Sequence, residues 1–280
     1  GSKISDYLIK PVNPNQILLA LKKHLDGRRL VSEKVTSDYQ QQFRQLGMRL
    51  GDRLSTSDWK ALYQELVRWE LELNRNADPG MAEILRSQWR EANDQFCRFV
   101  ERNYVDWVNG KGDDVPLQSH QLIKAKVAPL IDEKRAPLFM VLIDNLRLDQ
   151  WRVLEPILNE HFRVEEQDLF FSILPTATQY ARNALFAGMM PSEIEKRFPG
   201  KWLTEDAEGS KNAHEEEFLA AQLQRLGKGV KHSYHKITSL AQGRKLAESI
   251  DNLMGNAFNV IVYNFVDMLS HARTEMEVIR

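Results

Sequence analysis

The sequence predicts an α/β protein in which an all-helical region precedes a parallel sheet. In the second half of the chain, apolar runs alternate with helical patterns, which is typical of a parallel sheet with helices on both faces. In the first half, apolar and aromatic residues recur at intervals of three and four, as on one face of a helix. With 280 residues, the chain is long enough for more than one domain.

The composition is ordinary for a soluble protein and excludes several classes. Hydrophobic residues make up 42% of the chain, yet no apolar run approaches the ~20 residues of a membrane span. The net charge of -1 argues against broad attraction to nucleic acid or anionic lipid. Cys97 is the only cysteine, which leaves no intrachain disulfide and no thiolate metal site. We expect a cytoplasmic protein without membrane insertion.

The first two of three predicted segments are residues 1–26 and 27–135. The first contains a short strand-like stretch, Asp6 to Pro11, and then a helical pattern. The second is predicted to be a helical bundle, because one of its helices carries an apolar stripe formed by Trp59, Leu62, Leu66, Trp69 and Leu73. Such a stripe is more typical of a bundle core than of a ligand-binding surface.

The third segment, residues 136–280, is predicted to hold the sheet. We expect strands at residues 137–143, 164–173 and 258–265, because each contains an apolar run. The sequence between 191 and 255 is predicted to be helical and polar. Within it, Lys231 to Lys236 is predicted to be an exposed polar stretch that includes His232 and His235. Parallel sheets bind ligands at the carboxyl ends of their strands. The polar residues expected there are Asp144, Thr176, Thr178 and Asp267.

These residue types suit metal-assisted chemistry. Asp267 and His271 are four residues apart, which is about one turn of a helix, so their side chains can bind the same cation. Carboxylates, an imidazole and a hydroxyl suit zinc or manganese, and a metal-bound hydroxyl is a nucleophile at neutral pH. Each residue also has a structural interpretation: a strand-end aspartate often caps the next helix, and an Asp–His pair is common on helix surfaces.

The stretch from Thr178 to Gly188 is similar to the alkaline phosphatase superfamily. Arg182 follows the threonine by four residues and the glycine follows it by ten, and Asp267 with His271 matches that superfamily's metal motif. Residues 175–182 resemble the PglZ branch in particular. The resemblance implies a parallel sheet of alkaline phosphatase type, of which residues 136–280 would be the N-terminal part.

The resemblance also implies a role for each site residue. Thr178 would be the nucleophile and would bind one metal ion together with Asp144, while Asp267 and His271 would bind the second ion. Arg182 and Asn183 would bind the substrate's phosphate. The expected cofactor is a pair of zinc ions, with manganese as the alternative, and the expected substrates are nucleotide or oligonucleotide phosphodiesters. Threonine in place of cysteine argues against a sulfatase.

Asp6 to Pro11 resembles the last strand of a response-regulator receiver domain, in which Lys10 would contact the phosphoryl group. A receiver, a bundle and a PglZ domain in this order resemble the PorX-like response regulators. That resemblance implies a sensor histidine kinase, a phosphorylation-dependent homodimer and control of type IX secretion. A non-catalytic adaptor that binds a sigma factor or a secretion-system component is the alternative.

The superfamily completes both metal sites with an Asp–His pair and a further histidine, all downstream of the motif at Asp267. His214, His232 and His235 lie upstream of it and do not match those ligands. We therefore expect the 280-residue chain to be truncated at both ends and to lack full activity.

Overall fold

The computed structural model describes residues 14–76, 79–202, 211–264 and 266–267. The chain divides into two compact units, Gly1–Val115 and Pro116–Arg280. The domain limits predicted from the sequence, at residues 26 and 135, stay predictions. None of the helices in the described part of the chain combines the length and apolar character needed to cross a membrane.

The first unit contains three helices: α1 at Pro14–Leu50, α2 at Thr56–Asn76 and α3 at Pro79–Val108. The predicted apolar stripe of α2 is buried, with Leu62 and Leu73 each only 1% exposed. Helix α2 begins at a reciprocal pair in which Ser55 N donates to Asp58 Oδ2 (2.9 Å) and Asp58 N donates to Ser55 Oγ (3.2 Å). The stripe therefore forms core, as expected.

The second unit is built on a parallel sheet with the strand order β1-β3-β2. The strands are β1 at Leu138–Ile143, β2 at His232–Ile237 and β3 at Phe258–Tyr263. The central strand, β3, pairs with both neighbours in parallel register, so that Ile143 and Ile237 both lie beside Tyr263. The predicted strands β1 and β3 and the parallel sheet are confirmed.

Two strand predictions are wrong. Residues 164–173 form extended chain with a single parallel bridge, Phe171 to Gln118, because the four polar residues 165–168 interrupt the apolar pattern. The stretch at His232, predicted to be exposed and polar, is instead the partly buried strand β2. Its alternate residues Tyr234 and Lys236 lie on the same face of the sheet as Val260 and Val262, their partners in β3.

The helices of the second unit are α4 at Leu148–Leu158, α5 at Thr178–Ala187, α6 at Pro191–Arg197, α7 at Glu215–Arg225 and α8 at Leu240–Glu248. Short 3₁₀ and π turns lie at Ser119–Gln121, Ile123–Val127, Ala128–Leu130 and Ile250–Leu253. The buried apolar core joins α5 and α7 to one face of the sheet; its fully buried members include Ile123, Phe186, Leu219, Phe258, Val260 and Val262.

Helix α5 ends against α7, which satisfies the free carbonyl groups of its last turn. The amide nitrogen of Gln222 donates to Phe186 O (2.9 Å) and Leu185 O (3.2 Å), and Arg225 donates to Ala187 O. Gly188 follows in the left-handed conformation (φ 62°). A Cβ at Gly188 would lie 2.7 Å from Gln222 Cδ, so this glycine allows close packing on α7.

We expect Gly188→Ala to lower the free energy of unfolding by about 1 kcal/mol more than Gly227→Ala does. Both glycines have positive φ, so both variants carry the cost of the left-handed conformation, but a Cβ at Gly227 meets no atom within 4 Å. Urea unfolding of the two variants measures the difference. Equal losses of unfolding free energy in the two variants would contradict this prediction and show that the contact with Gln222 has no energetic cost.

Candidate functional site

The carboxyl edge of the sheet carries polar residues immediately after two of its strands. Asp144 follows β1, and its backbone N donates to Tyr263 O (3.0 Å). Asn264 follows β3, and its backbone N donates to Ile237 O (2.8 Å). The hydrogen bonding of the sheet thus continues beyond the strands and fixes the backbone of both residues. Asp267 lies three residues after Asn264 and is half-buried.

The Asp144 carboxyl lies in surroundings that disfavour its charge. Burial raises its pKa, and the negative charges of Asp267 and Glu215 act in the same direction, while Arg182 partly opposes them. The next residue, Asn145, has a left-handed backbone (φ 62°), which asparagine tolerates better than most residues. The nearby negative charges that disfavour ionisation of Asp144 form an environment that favours a cation.

Thr178 is the first residue of α5. The preceding residue, Ala177, makes no side-chain cap, but its backbone O accepts hydrogen bonds from Tyr180 N (2.9 Å) and Ala181 N (3.0 Å), and Thr176 is exposed. Thr178 O accepts a hydrogen bond from Asn212 Nδ2 (3.3 Å), whereas its hydroxyl makes no bond within the described residues. The hydroxyl of Thr178 is therefore available for chemistry at the start of this helix.

Arg182 lies one turn further along α5 and is only 5% exposed. Its Nε and Nη2 donate to the two carboxylate oxygens of Glu215 (2.5 and 2.7 Å). Its Nη1 donates to Asp144 Oδ2 (2.8 Å) and to Asn264 Oδ1 (2.7 Å). The sequence assigned Arg182 to the phosphate of a substrate, but the structure directs its guanidinium into the protein.

Asn183, the second residue assigned to the phosphate, is also directed inward. It is 1% exposed, and its Nδ2 donates to Gln179 O (2.8 Å) and Lys211 O (3.0 Å). Both amide hydrogens are therefore used to join α5 to the segment before α7. In this structure Asn183 supports the helix and presents no donor to a ligand.

Glu215, the first residue of α7, is the centre of the polar network at this edge. It is 1% exposed and, besides Arg182, accepts hydrogen bonds from Tyr234 Oη (2.5 Å) and Asn212 Nδ2 (3.1 Å). Burial raises the pKa of Tyr234, so its hydroxyl keeps the proton that it donates. Lys236 Nζ lies 3.8 Å from Glu215 Oε2, and burial lowers the pKa of Lys236.

Several of these residues were not found from the sequence. Glu215 is followed by Glu216 and Glu217, and three consecutive glutamates at a helix start read as favourable surface charge. Tyr234 and Lys236 were missed because β2 was not predicted. Asn264 could have been found, because it follows a predicted strand just as Asp144 does.

The described residues fit part of a metal site. The charge of Asp267 acts on Asp144 at one sheet edge, and Thr178 is the first residue of α5. Across residues 14–76, 79–202, 211–264 and 266–267, no group of three or more His, Cys, Asp and Glu side chains is placed to hold a metal ion. His271 and Lys10 lie outside the described residues, so their predicted roles stay predictions.

A threonine that opens a helix beside a parallel sheet, with carboxylates after the strands, defines an alkaline phosphatase-like domain. The chain belongs to the PglZ family: a family model described as the BREX system PglZ alkaline phosphatase-like domain matches residues 122–280. A second model, described as the PorX response regulator linker domain, matches residues 29–108. No curated protein matches the chain.

These matches confirm the predicted resemblance to PorX-like response regulators and the alkaline phosphatase-like fold class. The linker and the PglZ domain together support a regulator of phosphoesterase type, and the linker suggests control by a kinase. Alkaline phosphatase-like proteins generally use metal ions. The roles predicted for individual residues and the identity of the ions stay predictions.

We expect Asp144→Asn to raise the melting temperature in the presence of a chelator at pH 7. The raised pKa of Asp144 means that its charged form costs stability, and this cost disappears as the pH falls through the raised pKa toward the ordinary value of 3.8. The gain should therefore shrink in melts recorded toward pH 4.

Asp149→Asn is a control of opposite sign. The hydrogen bond from Arg147 lowers the pKa of Asp149, so its charge stabilises the fold at neutral pH. We expect this variant to melt lower at pH 7, with the loss shrinking in acid. An Asp144→Asn variant that also melts lower at pH 7 would contradict the argument.

Proposed function

We propose that this protein is a response regulator whose PglZ domain is a zinc-dependent phosphodiesterase, with Thr178 as the nucleophile. The observation that carries the proposal is the position of Thr178, one turn before the arginine that contacts Asp144. The four residues from Thr178 to Arg182 rise about 6 Å along the helix axis, which supports placing the hydroxyl and the carboxylate at the same edge. Membership of the PglZ family supports a phosphoester substrate.

In the proposed reaction, Thr178 Oγ1 loses its proton and attacks the phosphorus atom of the diester, and the bond from phosphorus to one of the two alcohols breaks; this leaving alcohol takes up a proton. The covalent intermediate is a threonine phosphodiester that still carries the second alcohol, and water then hydrolyses its bond to threonine, which releases a phosphomonoester and restores the Thr178 hydroxyl. Asp144 and Thr178 would hold one zinc ion, and Asp267 and His271 the other. Bound zinc would lower the pKa of the threonine hydroxyl and stabilise the charge of the leaving oxygen.

Lys236 is the cation that we assign to the substrate's phosphate in place of Arg182. It lies on the α5 face of the sheet, in register with Val262, and its side chain is 29% exposed. Its ammonium group donates one hydrogen bond, to Asn212 O (3.3 Å), and lies 3.8 Å from Glu215. Part of its capacity to donate three hydrogen bonds is therefore left for a ligand. Arg182 uses its donors inside the protein and has no such capacity.

The regulatory part of the proposal rests on the linker. The match at residues 29–108 supports control by a sensor histidine kinase through a receiver domain, with a phosphorylation-dependent homodimer as the active or inactive form. Control of type IX secretion, and a sigma factor or secretion-system component as partner, follow from the resemblance to PorX-like regulators. Nucleotide or oligonucleotide phosphodiesters are the proposed substrates.

We expect Thr178→Ala to lower turnover of a chromogenic phosphodiester by about a thousandfold or more in the zinc-loaded full-length protein. Thr178→Ser should retain measurable turnover, because it keeps a hydroxyl. Thr176→Ala is the matched control, since this neighbouring threonine is exposed and should be dispensable. A monoester assayed in parallel decides between diesterase and monoesterase.

A wild-type protein that binds zinc but hydrolyses neither ester would contradict the enzymatic proposal. It would favour instead the adaptor function, in which the PglZ domain binds another protein.

We expect Lys236→Met to weaken the binding of inorganic phosphate and to raise KM more than it lowers kcat. The reason is that the variant removes the ammonium group assigned to the phosphate and leaves Thr178 in place. Lys231→Met, one residue before β2 and exposed, is the control and should change neither value. Calorimetric titration with phosphate measures the affinity, and equal affinities for the two variants would remove Lys236 from the site.

A further inference from the structure

We propose that Arg182, held by Glu215, is a positioning residue that orients the Asp144 carboxylate toward a metal ion. This inference rests on the proposed function, because it takes Asp144 as a metal ligand. It differs from the role that the sequence indicated, since Arg182 here acts through another residue and does not touch the substrate.

The geometry of the guanidinium is fixed on two sides. Glu215 binds Nε and Nη2 through both of its oxygens (2.5 and 2.7 Å), which sets the plane of the group. The remaining nitrogen, Nη1, then donates to Asp144 Oδ2 (2.8 Å) and to Asn264 Oδ1 (2.7 Å), the side chains that follow two adjacent strands. One oxygen of Asp144 is thereby held by the protein, and the other is left to meet a cation.

Glu215 is itself held rigidly. Each of its oxygens accepts two hydrogen bonds: Oε1 from Arg182 and Asn212, and Oε2 from Arg182 and Tyr234. Its side chain is 1% exposed and begins a helix whose other end caps α5 through Gln222. These contacts fix Glu215, Glu215 fixes the guanidinium of Arg182, and Arg182 in turn fixes the carboxylate of Asp144.

A purely structural ion pair is a weaker explanation. Burying an arginine and a glutamate carries a large desolvation cost, and apolar residues of similar volume often stabilise a protein at least as well. The Arg182 side chain is 5% exposed and that of Glu215 is 1% exposed, so both bear this cost in full. Groups that orient a metal ligand typically change metal affinity 10- to 100-fold when they are lost.

The test is the triple variant Arg182→Met, Glu215→Met, Tyr234→Phe in the full-length protein. It removes both charges of the pair together with the hydroxyl that donates to Glu215, so neither Arg182 nor Glu215 is left buried without the other. We expect a melting temperature close to that of the wild type in chelator. Zinc affinity, measured by competition with a chromophoric chelator, should fall 10- to 100-fold. Wild-type affinity in the folded variant would overturn the proposal.

A matched control removes another Arg–Glu pair of the same unit. Arg152 and Glu155 of α4 form an ion pair of 2.8 Å, and the double variant Arg152→Met, Glu155→Met should keep wild-type zinc affinity. If the triple variant fails to fold, Arg182→Lys decides, because a lysine keeps the charge for Glu215 but has no planar fork to reach Asp144 as well. A folded Arg182→Lys variant with unchanged zinc affinity would also overturn the proposal.

Asp144→Ala separates this inference from the proposed function. If that variant binds zinc as the wild type does, Asp144 is not a ligand, and the proposed function and the positioning role fail together. If it loses zinc while the folded triple variant does not, only the positioning role fails. Loss in both variants, with the control unchanged, supports both.

Discussion

The buried contact between Arg182 and Glu215 is the interaction on which the arrangement of the candidate site depends. It joins α5 to α7, and through Asp144 and Asn264 it joins both helices to the carboxyl edge of the sheet. If either residue were lost alone, the charge of the other would lie unpaired in the interior. The apolar residues bring the layers together, whereas this ion pair connects the two helices with the polar residues at the sheet edge.

Much of the fold could be predicted because its signals are local. The strands β1 and β3 are apolar runs, and α2 shows its core stripe at helical spacing. The strand β2 was missed because His232 and Lys236 make its sequence polar, and only pairing with β3 gives it a buried side. The predicted strand at 164–173 failed for the opposite reason: it has apolar residues, but its charged start lacks a neighbouring strand, and only Phe171 is bridged.

The candidate site, like the fold, was predicted from the sequence only in part. The position of Asp144 follows from the topological rule that parallel strands end at a common edge, whereas Thr178 follows an extended segment that is not part of the sheet. The direction of a side chain does not follow from that rule. Arg182 was predicted to face a ligand, yet it faces Glu215, because α7 packs beside α5 and buries one particular glutamate of three. Contacts between elements far apart in the chain decide such directions, and a single sequence carries no record of them.

The order of the strands also governs how the sheet can be assembled during synthesis. In the part of the chain that the structure describes, both pairings of the sheet involve β3, which follows β1 and β2 in the sequence, and β1 and β2 do not pair with each other. Leu138 must therefore wait for Phe258 before its backbone finds a partner in this sheet. The helices of the first unit involve shorter separations and are free to fold earlier. Until β3 is synthesised, the apolar strand β1 lacks its partner in the sheet.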